Sequence, residues 1–325
     1  MLAAMLLRLW ACATAAFLML AGARRRRYRD GDVSLVYYCI APKRRRAGGA
    51  AAPEPWLLLH GLGSFAVTWY AVLRALRRDC RLIVPELSAL GGTRAPGGAL
   101  DVEQGALLAA RLIELELGGG DQRQAPVTVA GLSLGGWMAV RLAMARPDLV
   151  GRLVLIDAAG YRDQDWKRIA GLVRVDDLAG VDRLYGALFR STPGFMRRAR
   201  RGFLRAYTSP GVRHLLHALR ERDAYAAADL ARLPMPVALV WGEHDGLFRL
   251  ETARAMAAAI PGAHLQVLGN CGHAVHMECP RDLIAALERV RRELPPVRPA
   301  TPQTPLTPEA PETIATRPAK AAAAT

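Results

Sequence analysis

Six short, largely apolar runs alternate with stretches of helical periodicity between residues 56 and 268, and this alternation most narrows the folds open to the chain. The runs are Trp56 to Leu59, Leu82 to Val84, Val127 to Ala130, Leu153 to Ile156, Val237 to Val240 and Leu265 to Leu268. A strand that is apolar at successive positions must bury both faces, so runs of this kind separated by helices predict a parallel sheet covered on both sides. Val67 to Arg78 places Trp69, Val72, Leu73 and Leu76 on one helical face, and Asp101 to Leu117 opens with Asp101 and Gln104 at capping-box spacing. Both are read as crossover helices. Ahead of them, Val33 to Ile40 is rich in β-formers and is expected to supply antiparallel edge strands.

The rhythm stops between residues 161 and 233, where no buried strand is visible and helical patterns carry many arginines. This segment is read as an insertion. From 161 to 222 there are 14 Arg or Lys against 6 Asp or Glu, and residues 190 to 205 hold six arginines and no acid. A solvated helix face and a contact with anionic lipid headgroups both account for that bias. After Leu294 the composition turns to Pro, Thr and Ala, so residues 294–325 are expected to form a flexible tail. With 52% hydrophobic and 22% charged residues the chain is no disordered regulator, and its net charge of +15 favours anionic partners without choosing among them. No motif for nucleic acid accompanies the charge.

Residues 1–23 are apolar apart from Arg8 and run into Arg24 to Arg27. A retained membrane anchor over residues 1–30, with the following domain on the cytoplasmic side, is the preferred reading; a signal cleaved after Ala21-Gly22-Ala23 is the alternative. The five cysteines, Cys12, Cys39, Cys80, Cys271 and Cys279, are scattered and odd in number, and mostly reduced thiols are expected.

Val127 to Gly136 reads VTVAGLSLGG, a buried strand entering Gly131-Leu132-Ser133-Leu134-Gly135 and then a helical stretch. A serine on so tight a strand-to-helix turn needs glycine two positions to either side, and its hydroxyl is left exposed at the helix N-terminus. An activated serine requires a base, and the base an acid that fixes its tautomer. Downstream, the run ending at Val240 leads into Trp241-Gly242-Glu243-His244-Asp245, and the run ending at Leu268 into Gly269-Asn270-Cys271-Gly272-His273. Both polar residues therefore fall just past the carboxyl ends of strands, where open α/β sheets build their sites. Ser133, Asp245 and His273 are the candidate nucleophile, acid and base, with Asp157 a competing acid at the end of the neighbouring strand. Oxyanion donors are expected from the backbone N–H groups of Leu134 and of Leu62, Gly63 being next in line, in the loop His60-Gly61-Leu62-Gly63-Ser64. His60 is expected to shape that loop.

Two rival patterns share these segments. Gly61-Leu62-Gly63-Ser64-Phe65-Ala66, with Glu86 after the next strand, fits a dinucleotide fingerprint but leaves the three polar strand ends unexplained. Cys271, His273, His276 and Cys279 have ligand types suited to zinc, yet they come from one short segment. His214 and His217 are read as the polar face of a helix in the insertion.

With these motifs in order, the chain resembles the α/β-hydrolase superfamily over about residues 31–293. The apolar N-terminus with its basic flank, Val240-Trp241-Gly242 with Asp245, and Asn270 to Pro280 (NCGHAVHMECP) are similar to membrane-anchored monoacylglycerol lipases and related bacterial lipases. The resemblance implies a mostly parallel eight-stranded sheet flanked by helices, and a helical cap inserted at about 161–233. It also implies hydrolysis of carboxylic esters, acylglycerols above all, at a membrane surface, without metal, organic cofactor, nucleic acid or obligate protein partner. A general carboxylesterase or a carbon-carbon bond hydrolase is the alternative, and a ligand-binding protein of the same fold a more remote one. The loop Pro85-Glu86-Leu87-Ser88-Ala89-Leu90-Gly91-Gly92-Thr93 departs from the Pro-Asp-x-Pro-Gly-His-Gly pattern of such relatives.

Overall fold

The computed structural model describes residues 16–19, 22–43, 53–87, 92–118 and 126–297. Eight strands, β1 (Ala23–Asp30), β2 (Val33–Ile40), β3 (Glu54–Leu59), β4 (Cys80–Pro85), β5 (Val127–Leu132), β6 (Val150–Ile156), β7 (Val237–Gly242) and β8 (His264–Leu268), form one sheet. Their order is β1-β2-β4-β3-β5-β6-β7-β8, with β1 and β2 antiparallel at one edge and β4 to β8 running parallel with β3. Every residue of β5, β6 and β7 is buried, as strands covered on both faces must be.

Helix α1 (Tyr70–Leu76) follows β3 and a 3₁₀ turn (Ala66–Trp69); α2 (Val102–Leu117) follows β4, and α3 (Leu134–Ala145) springs from β5. One face of the sheet packs on α2 and α3 through Leu108, Leu112, Trp137 and Met138. The other packs on α1 and the last helix through Trp69, Val72, Leu283 and Leu287. Asp101 caps α2 as its spacing predicts: its carboxylate accepts from Gln104 N–H at 2.7 Å, and the Gln104 side chain answers to Asp101 N–H. Between β6 and β7 the chain forms α4 (Trp166–Val173), α5 (Leu178–Leu188), α6 (Gly194–Tyr207), α7 (Pro210–Ala218) and α8 (Ala227–Leu230), a cap with its own small core of Val181, Leu184, Tyr185, Phe189 and Tyr207. Then come α9 (Leu250–Ala259) after β7, α10 (Val275–Glu278) after β8, and α11 (Pro280–Glu293).

The N-terminus corrects the expectation of a membrane anchor and the location drawn from it. No helix among the described residues is long and apolar enough to cross a membrane. Residues 1–15 lie outside the described residues, 16–19 make only a short helical turn, and Leu18 is packed in the core. The arginines expected to flank the anchor are strand: Arg24 to Arg27 pair with Cys39 to Val36 along β2. As an edge strand β1 needs no apolar alternation, and its arginines stand exposed, Arg26 reaching Glu116 at 2.6 Å. The tail from residue 298 onward also lies outside the described residues.

Candidate active site

The β5–α3 turn holds Ser133 at φ 54°, ψ −120°, one of three non-glycine residues with positive φ among the described residues. That conformation costs energy and survives only because the surroundings fix it. Glycine on either side is a packing requirement: a Cβ on Gly131 would sit 2.2 Å from Gly135 O, and one on Gly135 2.3 Å from Leu59 O. Ser133 N–H donates to Ile156 O at 3.0 Å, and Ala159 N–H donates to Ser133 O at 3.0 Å, locking the turn to the end of β6.

Asp245 and His273 follow β7 and β8. Asp245 Oδ2 accepts from His273 Nδ1 at 2.8 Å, while Oδ1 accepts from the N–H groups of Leu247 and Phe248, both at 2.8 Å. The carboxylate is therefore held on both oxygens, and His273 is fixed with Nδ1 as donor, leaving Nε2 to accept. The Phe248 ring meets the imidazole edge-on at 5.3 Å. Ser133, Asp245 and His273 are all buried.

Ser133 and His273 line one cavity of about 710 Å³, together with Leu62 and Leu134. Leu134 N–H is in the first turn of α3 and Leu62 N–H is in the Gly61–Ser64 turn; neither donates to another described residue. The cap supplies most of the apolar wall, with Tyr185, Phe203 and Tyr207 among its rings. These cap residues were not singled out in the sequence, although α6 alternates Phe195, Met196, Ala199, Phe203 and Tyr207 against its arginines at helical spacing.

Asp157, the competing acid, is fully buried at φ 42°, with Oδ1 accepting from Gly242 N–H at 2.8 Å. It stands beside the Asp245–His273 pair, the donor atoms of the three residues lying within 4.8 Å of one another. Burial, and then the charge of Asp245, raise the Asp157 carboxyl well above its ordinary range. Among the described residues, Asp245 alone bonds the imidazole.

His60 shapes its loop as expected: Nδ1 donates to Gly61 O and Nε2 accepts from Leu87 N–H, both at 2.9 Å. Glu86 is buried with Oε2 3.7 Å from His60 Nε2, so its carboxyl is not open to a ribose hydroxyl. Burial pushes the Glu86 carboxyl up to about 7 and the His60 imidazole down to about 4. The unfolded chain releases the Glu86 proton near 4.5, whereas the folded chain keeps it to about 7, so this group lowers stability as pH rises through that interval. Glu86→Gln is therefore expected to gain melting temperature over the parent progressively from pH 4.5 to 7 and to hold that gain above. Melting curves of both proteins against pH check this. His60 acts in the opposite sense in both proteins and cancels in the difference.

The cysteines depart from the expectation of mostly reduced thiols. Cys271 and Cys279 are joined in a disulfide, Cys39 and Cys80 are free and buried, and Cys12 is outside the described residues. The turn through α10 folds the segment back on itself and brings the two Cα atoms to 6.0 Å, a proximity that a spacing of eight does not reveal. Both sulfurs are thereby engaged, which leaves the alternative zinc set without thiolates. His214 and His217 lie on α7 in the cap, away from the cavity lining.

A family model described as an alpha/beta hydrolase family matches residues 56–287. The chain belongs to the alpha/beta hydrolase family. It is 30% identical over 252 residues to 2-hydroxy-6-oxo-2,4-heptadienoate hydrolase of Pseudomonas putida, covering 72% of this chain and 87% of that one. It is 24% identical over 247 residues to human monoacylglycerol lipase ABHD6, covering 69% of this chain and 71% of the relative. Among solved structures, a membrane phospholipase A described as a bacterial virulence factor superposes with a TM-score of 0.71 at 20% identity, over 90% of this chain and 92% of that one. That likeness concerns the fold. The relatives of this alpha/beta hydrolase thus span ester and carbon-carbon bond hydrolases.

Proposed function

We propose that this hydrolase cleaves carboxylic esters, acylglycerols being the substrate class, through an acyl-enzyme on Ser133. The observation that carries the reading is the Asp245–His273 hydrogen bond at 2.8 Å, with the imidazole facing the cavity that Ser133 also lines. Ser133 Oγ attacks the ester carbonyl as His273 Nε2 takes its proton, and Asp245 stabilises the imidazolium. The N–H groups of Leu134 and Leu62 receive the oxyanion, each such donor being worth about 10²–10³ in rate. His273 then gives the proton to the departing alkoxide, the carbon-oxygen bond breaks, and water releases the acid by the same relay. The apolar cap wall suits a hydrocarbon acyl chain. The five arginines of α6 and the exposed ring of Phe195 support an anionic lipid surface as the partner that delivers such an ester.

A panel of glyceryl and alkyl esters of increasing acyl length, run beside a 2-hydroxy-6-oxo-dienoate, tests the reading. Turnover is expected for the esters, rising with acyl length to the limit of the cavity. Cleavage of the dienoate alone would replace ester hydrolysis with carbon-carbon bond hydrolysis. Turnover of neither class would leave a ligand-binding protein.

A further inference from the structure

The polar side chains of the cavity lining that acyl transfer leaves unused include Ser64, Thr68 and His276. They come from two adjoining pieces of chain. Thr68 belongs to the 3₁₀ turn Ala66–Trp69, and His276 to α10, which packs against that turn with the His276 and Trp69 rings 5.5 Å apart.

His276 is 6% exposed, and neither of its ring nitrogens has a hydrogen-bond partner among the described residues. A buried polar group left unsatisfied is costly, and buried imidazoles are ordinarily bonded. Burial, helped by His273 and His60 nearby, pushes its pKa down to about 3, so at neutral pH the ring offers one donor and one acceptor. Ser64 Oγ lies 2.7 Å from Thr68 Oγ1, and the Thr68 hydroxyl donates to Phe65 O at 2.7 Å. With the Thr68 proton committed, Ser64 donates to Thr68 and keeps lone pairs free to accept a bond. This part of the wall therefore holds a donor and two acceptors without charge, the two imidazole nitrogens being buried. Hydroxyl groups, each donor and acceptor, match that set; a carboxylate or phosphate, which only accepts, does not.

We propose that His276 and Ser64, the latter oriented by Thr68, form a leaving-group subsite that binds a free hydroxyl on the alcohol portion of the ester. The favoured substrate is then an acyl monoester of a polyol, ahead of the same acyl group on a simple alkanol. This rests on the ester-hydrolase reading and assigns residues to the alcohol side of the same site.

The decisive quantity is the ratio of kcat/KM for glyceryl monobutyrate to kcat/KM for ethyl butyrate, both water-soluble and alike in acyl group. It is measured on the full chain, His276→Phe, His276→Gln and Ser64→Ala. The unaltered chain is expected to favour the glyceryl ester. His276→Phe should lower the ratio about tenfold, through the loss of its hydrogen bonds to the alcohol, and Ser64→Ala about threefold. His276→Gln, which keeps a donor and an acceptor, should restore part of the preference. A ratio unchanged in both His276→Phe and Ser64→Ala overturns the subsite, as does equal loss of both substrates or an unaltered chain indifferent to the alcohol. If phenylalanine at 276 does not fold, Ser64→Ala carries the test alone. Turnover of neither ester by the unaltered chain refutes the ester-hydrolase reading itself, a result distinct from a changed ratio.

Discussion

Ser133→Ala is expected to lower ester turnover by about 10⁴-fold or more while leaving the fold intact. The size follows from the way nucleophile and base act as one unit: removal of the serine leaves only the contribution of oxyanion donors and binding. The fold should survive because the substitution deletes one oxygen and keeps the Cβ. That Cβ is the atom the surroundings fit, since a Cβ on Gly61 would lie 3.0 Å from it. The strained φ of 54° is common to serine and alanine and changes little in cost. Parallel measurement of kcat for a preferred ester and of melting temperature separates the two consequences. Turnover equal to that of the unaltered chain would end the serine mechanism.

The second large effect separates the two buried carboxyl groups. In Asp245→Asn the side-chain oxygen is claimed by the N–H groups of Leu247 and Phe248, so the amide nitrogen must face His273 Nδ1. Two donors then oppose each other, the imidazole turns to the wrong tautomer, and kcat is expected to fall by about 10⁴-fold. Asp157→Asn is expected to cost less than about tenfold. Asp157 makes no hydrogen bond to the imidazole; one of its oxygens accepts from Gly242 N–H, and asparagine keeps that acceptor in nearly the same shape. Kinetics of the two variants on one ester check the assignment. A full loss in Asp157→Asn with activity retained in Asp245→Asn would transfer the acid role to Asp157.

Much of this architecture was legible in the sequence because it depends on local pattern. The doubly apolar runs of β5, β6 and β7 are what a covered parallel strand requires, and the Gly-x-Ser-x-Gly turn between β5 and α3 carries its own steric demand. The strand ends that carry Asp245 and His273 could be placed on the same reasoning. What failed depended on contacts between segments. β1 was hidden because an exposed edge strand shows no alternation and its arginines look like the flank of an apolar segment. The Cys271–Cys279 pair was hidden because its closure is set by the turn through α10. Asp245 could be preferred to Asp157 on its Trp-Gly-x-x-Asp turn, but Asp157 stayed a competitor because β6 and β7 are neighbours; the hydrogen bond to His273 distinguishes them. The cap's helical faces were readable, but which rings reach the cavity follows from packing.

Labelling with a fluorophosphonate followed by peptide mass mapping reports whether His273 makes Ser133 nucleophilic. A single phosphonyl adduct on Ser133 is expected, formed at least about a hundredfold more slowly in His273→Ala, in line with the contribution of a positioned base. No adduct at Ser133, or one that forms as fast without the imidazole, would contradict it.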